Sequence, residues 1–125
     1  MAATHAGGNL FPTGAPVAGG TSVAAAGSAT SALITNSTGY GVTITVQVTN
    51  GGTGPTIPAT VTIQISADNT TFVTWASDIA GTVASTSYTF GYQLPPEVSY
   101  ARVQVTGNTA QAVQAIAQYN QLTAL

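Results

Sequence analysis

The sequence predicts an all-β domain built as a single antiparallel β-sandwich. Three observations carry that expectation. Residues 42–49, VTITVQVT, alternate branched apolar residues with Thr or Gln, and residues 60–66, TVTIQIS, alternate likewise. Alternation at period two puts one face of a strand in a core and the other face outside it. Turn residues recur at nearly regular spacing, at Asn50-Gly51-Gly52, Asp68-Asn69, Ala80-Gly81, Pro95-Pro96 and Gly107-Asn108. The 3.6-residue apolar spacing of an amphipathic helix is almost absent. About seven short strands bounded by such turns read as a sandwich.

The N-terminal segment comes first. Residues 1–22, MAATHAGGNLFPTGAPVAGGTS, carry Gly7-Gly8, Pro12, Gly14, Pro16 and Gly19-Gly20, which interrupt any regular element. Leu10 and Phe11 place an apolar anchor on this tether, just before a proline. The expectation is an extended, flexible N-terminal arm over 1–22 that docks on another chain, and then the sandwich domain over 23–125. Ordering a chain costs roughly 1–2 kcal/mol per residue, so such an arm orders where a partner supplies contacts. Residues 23–35 hold a weak strand broken by Gly27, with Leu33-Ile34 as its core candidate.

Residues 42–49 and 60–66 flank the long turn NGGTGPTIP, and Asp68-Asn69-Thr70 leads to a strand over 71–76, TFVTWA. Across 86–94, Tyr88, Phe90, Tyr92 and Leu94 share one parity and form an aromatic face, which Pro95-Pro96 ends. Ala101, Val103 and Val105 align over 101–106, and Val113, Ala115, Ala117 and Tyr119 over 111–119. The segment 110–118, AQAVQAIAQ, also suits a helix, because Ala and Gln are good helix formers. A strand pairing across Gly107-Asn108 with residues 101–106 is the reading preferred. The predicted core is Val42, Ile44, Val46, Val48, Val61, Ile63, Ile65, Val103 and Val105.

Of the 125 residues, 44% are hydrophobic and only 3% are charged, against about 25% in a typical domain. Arg102, Asp68, Asp78 and Glu97 are the whole charged inventory, for a net charge of −2, and there is no lysine. One arginine cannot neutralise a run of phosphates, so no nucleic-acid partner is expected. No run reaches the roughly 18 apolar residues of a spanning helix, and the strands are too few and short for a transmembrane barrel. No membrane partner is expected. The N-terminus shows no basic region leading into an apolar one, so no signal peptide is read. Without cysteine there are no disulfides and no thiolate metal sites.

Catalytic chemistry finds no constellation. A nucleophile activated by imidazole needs a rigidly held histidine. The only one is His5, in the Gly-rich arm. Asp68, Asp78 and Glu97 could pair as acid and base, but each adjoins a turn, where local hydrogen bonding accounts for it. Asp68, Asn69 and Asp78 offer hard oxygens to calcium, but too few carboxylates for a tight site. Asn36-Ser37-Thr38 and Asn69-Thr70-Thr71 match glycosylation triplets, which arise by chance in Thr-rich chains. Trp75, Tyr88, Phe90 and Tyr92 could stack on a sugar, but alternation assigns them to the core. Arg102 has Glu97 and Asp78 as candidate ion partners. No enzyme and no cofactor are expected.

A free surface this poor in charge is prone to associate. Much of it is therefore expected to be covered in an assembly. The candidate interface is Leu10 and Phe11 on the arm, with Thr43, Thr45 and Gln47 on one strand face and Thr62 and Gln64 on another. Hydroxyls and amides can be covered there without the desolvation cost of a buried ion. Repeated neutral faces also suit a homo-oligomer, in which like charges would oppose each other.

Two resemblances add to this reading. The strand order resembles an immunoglobulin-like or fibronectin type III sandwich. Leu94-Pro95-Pro96-Glu97-Val98-Ser99-Tyr100 is similar to the approach to the sixth strand of those domains. That likeness implies Tyr100 as the corner tyrosine, although here Tyr100 shares parity with Arg102 and Gln104 rather than with Val103 and Val105. Thr62-Ile63-Gln64-Ile65-Ser66-Ala67-Asp68-Asn69, then Phe72 and Trp75, then Tyr100-Ala101-Arg102-Val103-Gln104-Val105, resemble small sandwich domains of tailed-phage virion proteins, of the head decoration or cement type.

This resemblance implies a non-enzymatic structural protein of a phage particle, residing in the virion after assembly in the host cytoplasm. Its implied partners are the major capsid protein or other virion subunits, and further copies of itself. The alternatives are a carbohydrate-binding or adhesion module and a tail-associated virion component.

Overall fold

The computed structural model describes residues 4–11, 21–23, 25, 27–36, 41–107 and 110–124. They form ten strands: β1 (Thr4–Phe11), β2 (Thr21–Val23), β3 (Ser28–Thr30), β4 (Ile34–Thr35), β5 (Val42–Asn50), β6 (Thr60–Ser66), β7 (Val73–Ile79), β8 (Ser87–Leu94), β9 (Tyr100–Thr106) and β10 (Val113–Ala124). Every pairing is antiparallel, and the strands make two five-stranded sheets packed as a sandwich. Sheet A runs β1-β10-β5-β8, with β2 also pairing with β10. Sheet B runs β3-β9-β6-β7, with β4 also pairing with β9.

The alternation read in the sequence is the alternation of burial. Val42, Ile44, Val46 and Val48 on β5, Val61 and Ile63 on β6, and Val103 and Val105 on β9 point between the sheets and are almost fully buried. Burying a side chain of this size contributes about 1.5–3 kcal/mol. Ile65 is half-buried and packs against the same core. Residues 113–124 are strand, and Val113, Ala115 and Ala117 are buried from sheet A. The expected hairpin with residues 101–106 does not form, because β10 pairs with β1, β2 and β5 in sheet A while β9 lies in sheet B. Leu94 and Tyr92 are buried too, while Tyr88 and Phe90 lie at the core margin. Leu33 and Ile34 part company, with Ile34 in the core and Leu33 exposed.

Buried amides tie the two ends of the sandwich. At one end Gln121 of β10 donates to Asn36 Oδ1 over 3.0 Å, and Asn36 donates to the Val98 carbonyl over 3.0 Å. The Asn36 amide of the first glycosylation triplet is thus used inside the fold. At the other end Asn50 closes β5 by donating to the carbonyls of Gly81 and Val83 at 3.0 and 2.9 Å. These bonds hold the β7–β8 loop against the end of sheet A.

The N-terminal expectation needs correction. Residues 4–11 do not lie outside the sandwich, because β1 pairs along β10 from Thr4↔Ala124 to Phe11↔Ala117. Leu10 is 1% exposed and belongs to the core, so it is not an anchor for another chain in this arrangement. Gly7 and Gly8 serve the strand. A Cβ at Gly8 would meet the Tyr119 ring at 2.9 Å, so glycine lets β1 lie against that side chain. The Phe11 side chain and residues 12–20 lie outside the described residues.

β7 also departs from the sequence reading. It begins at Val73 and runs to Ile79, later than the expected 71–76. Its ladder with β6 slips once. Ile63 faces Ala76 and Gln64 faces Thr74, leaving Trp75 as the extra residue of a bulge. A bulge of this kind turns side chains off the alternation of the strand.

Candidate assembly interface

Three adjacent strands, β10, β5 and β8, build one continuous part of the outer surface of sheet A. β5 contributes Thr43, Thr45, Gln47 and Thr49. The register places Gln93, Gly91, Thr89 and Ser87 of β8 beside them on one flank. Asn120, Gln118, Ile116 and Gln114 of β10 lie on the other. None of these three strands contains a charged residue. The face is flat in register, with no bulge between β5 and either neighbour. Thr43 and Thr45 are exposed, Gln47 is half-buried, and Thr49 and Ser87 share a hydrogen bond of 2.8 Å. Hydroxyls both donate and accept, and amides present both functions, so the face can match many neutral partners.

Thr62 and Gln64 also point outward, but from sheet B. They therefore lie on the opposite side of the sandwich from Thr43, Thr45 and Gln47 and cannot form one patch with them. Gln64 is already engaged, since its Oε1 accepts from Arg102 Nε at 2.7 Å. The Arg102 guanidinium also stacks 3.8 Å over the Phe72 ring. The single arginine thus meets an amide and an aromatic ring rather than Glu97 or Asp78.

The three carboxylates are engaged differently. Asp68 closes the β6–β7 turn. Its Oδ1 accepts from the Ser66 hydroxyl and from the backbone N–H groups of Thr70 and Thr71 at 2.8–2.9 Å. The backbone bonds from Thr71 and Thr70, with the Ser66 hydroxyl, hold its carboxyl below the usual carboxylate range. Asp78 accepts a 2.6 Å hydrogen bond from the Tyr92 hydroxyl across the gap between β7 and β8. Burial, reinforced by Asp78, pushes the Tyr92 phenol well above its ordinary value. Glu97 is exposed beyond the end of β8. Among the described residues no group of three His, Cys, Asp or Glu side chains is placed to hold a metal ion.

The four aromatics weighed as a stacking platform separate. Tyr88, Phe90 and Tyr92 turn toward the core, whereas Trp75 is 39% exposed. Strand parity gave no sign of this, because the bulge offsets Trp75 from it. Around Trp75 lie two adjoining hollows. One, of about 670 Å³, is lined by Thr43, Gln93, Leu94 and Asn120 among others. The second, of about 560 Å³, is lined by Ile65, Asp68, Val73, Pro95, Glu97 and Val98 among others.

No family model matches the chain, and no curated protein matches it. Solved structures share its fold at low identity. A pilus protein of Bacillus endospore appendages is 14% identical with a TM-score of 0.57, covering 100% of this chain and 93% of that one. The PBSX exported protein XepA is 12% identical with a TM-score of 0.60 over 96% of this chain, which spans 37% of XepA. The enzymatically active domain of bacteriophage CBA120 tailspike protein 4 is 15% identical with a TM-score of 0.54 over 96% of this chain and 18% of that one. These likenesses establish the all-β sandwich.

Proposed function

We propose that this chain is a non-enzymatic structural protein of a phage particle. It decorates or cements the shell by laying the outer face of sheet A on a capsid protein or another virion subunit. One observation carries the reading. Three neighbouring strands, β5, β8 and β10, offer a continuous outer face without a single charge. Covering such a face strands no ion, and its hydroxyls and amides keep hydrogen bonds to the partner. The similar architecture of a phage tailspike domain, itself enzymatically active, is consistent with a place in a phage particle but does not support the absence of activity. Thr62, from the second candidate face with Gln64, lies on sheet B on the opposite side and offers a place for a further copy of the chain.

A carbohydrate-binding module, the competing reading, needs an exposed aromatic platform. Of the four aromatics weighed for such a platform, Tyr88, Phe90 and Tyr92 turn inward and Trp75 is left. That weighs toward the shell.

The test is attachment of purified protein to particles that lack it. Thr45→Lys with Gln47→Lys should abolish attachment while leaving the fold intact. Wild-type attachment through this face should persist up to about 1 M salt, where the Debye length is about 3 Å. Normal attachment of the double-lysine protein would place the interface elsewhere and overturn the assignment of sheet A.

A further inference from the structure

The β7 side of the sandwich carries a different kind of surface. Among the described residues β7 is the last strand of sheet B, paired with β6. Its bulge presents Trp75 at the mouth between the sheets, with Val73 beside it at 56% exposure. The hollow they share with Ile65, Pro95 and Val98 is apolar, and Asp68 and Glu97 stand among its lining residues. Two of the chain's three carboxylates are therefore gathered at one apolar groove, and among the described residues no cationic side chain lines it. The Asp68 carboxylate accepts three hydrogen bonds from its own turn, which favours the ionised form.

We propose that this groove receives an arginine or lysine side chain from an extended segment of a partner polypeptide. The aliphatic stem of such a residue suits the floor of Val73, Ile65 and Val98, and its head meets Asp68 and Glu97. The Trp75 ring offers its face to the cation.

A second copy of this protein is a poor occupant. Its basic side chains are His5 and Arg102 alone, and Arg102 is held by Gln64 and Phe72. The bulge and the inward-pointing Asp78 also disfavour edge-to-edge pairing of two β7 strands. The partner is therefore a different, cation-bearing chain. This holds whether or not sheet A attaches to a particle.

The chain contains one tryptophan, so its intrinsic fluorescence reports on this groove. The full chain would be titrated with a blocked pentapeptide of alternating valine and threonine around a central arginine. The same peptide with central glutamine, and the sugars chitohexaose and cellohexaose, complete the set of probes. The arginine peptide should shift the emission and bind about tenfold tighter than the glutamine peptide. That advantage should shrink between about 0.05 and 0.5 M salt, as screening requires. Glu97→Gln changes an exposed residue, so the fold is kept, and it should weaken the arginine peptide several-fold without affecting the glutamine one. Equal binding of the two peptides would overturn the proposal. So would silence toward both peptides up to millimolar concentration. A response to a hexaose but not to the arginine peptide would make this a glycan site instead.

Discussion

The outer face of sheet A and the β7 edge of sheet B are both strand surfaces, and they differ in almost every respect. The first is central, regular in register and without charge. The second is an edge with a bulge, an exposed tryptophan and carboxylates close by. A strand hydrogen-bonded on both sides, such as β5, has its alternation enforced by two neighbours. An edge strand is held on one side only, so it can slip, and one extra residue re-aims the side chains beyond it. Neutral chemistry suits a broad surface to be covered whole. Charge is concentrated where a single side chain could be gripped.

Substitutions on either side of this divide would sharpen the contrast or erase it. The largest expected effect is Ile63→Ala, on the regular side of the bulge, which should cost about 2–5 kcal/mol by denaturant unfolding through lost transfer energy and a cavity. Val73→Ala, on the exposed side, should stay within about 0.5 kcal/mol. Comparable losses at the two sites would remove the distinction between them.

Leu10→Ala tests whether β1 belongs to the core of its own chain. A loss of about 2–4 kcal/mol is expected from its burial. An unchanged midpoint would mean that residues 4–11 leave the domain in solution.

Tyr92→Phe removes the hydrogen bond that joins β8 to Asp78 on β7, with an expected loss of about 1–3 kcal/mol. The same contact has a pH signature. The Tyr92 phenol is raised above its ordinary 10.0 in the folded chain. The unfolded chain therefore ionises first, and stability present below pH 10 declines as the solution becomes more alkaline. Tyr92→Phe should flatten that alkaline decline in unfolding measurements. Asp68 acts in the opposite direction. Its folded value is lowered, so its contribution is present above its ordinary 3.8 and fades as the pH falls below it.

The smallest effect on stability belongs to Thr45→Lys with Gln47→Lys. Each outward change should alter folding by no more than about 0.5 kcal/mol, while attachment to the particle is lost. A marked drop in melting temperature would show that the sheet A face takes part in the fold.

Where the sequence reading failed, the cause was a contact distant along the chain. Gly7-Gly8 looked like punctuation because nothing near them in sequence mentions β10, whose Tyr119 ring the missing side chain of Gly8 accommodates and whose Tyr119 backbone carbonyl lies against Gly7. Leu10 looked like an anchor for another chain because β10, which β1 joins, begins at Val113. Trp75 shares the parity of Val73, and no local pattern announces a bulge that exists only in the pairing with Ile63 and Gln64. Thr43 and Thr62 read as similar faces, yet they end on opposite sides of the molecule because β5 and β6 belong to different sheets.

By itself the sequence determined the all-β class, the inward set on β5, β6 and β9, and the absence of charge from the strands that form the sheet A face. Those properties come from local alternation and composition, which travel with each strand wherever it packs. Only the tertiary structure decided which strands adjoin, that β1 closes sheet A, and that Trp75, Asp68 and Glu97 surround one groove. Those are matters of pairing between residues tens of positions apart, where register and edge position decide which side chains meet.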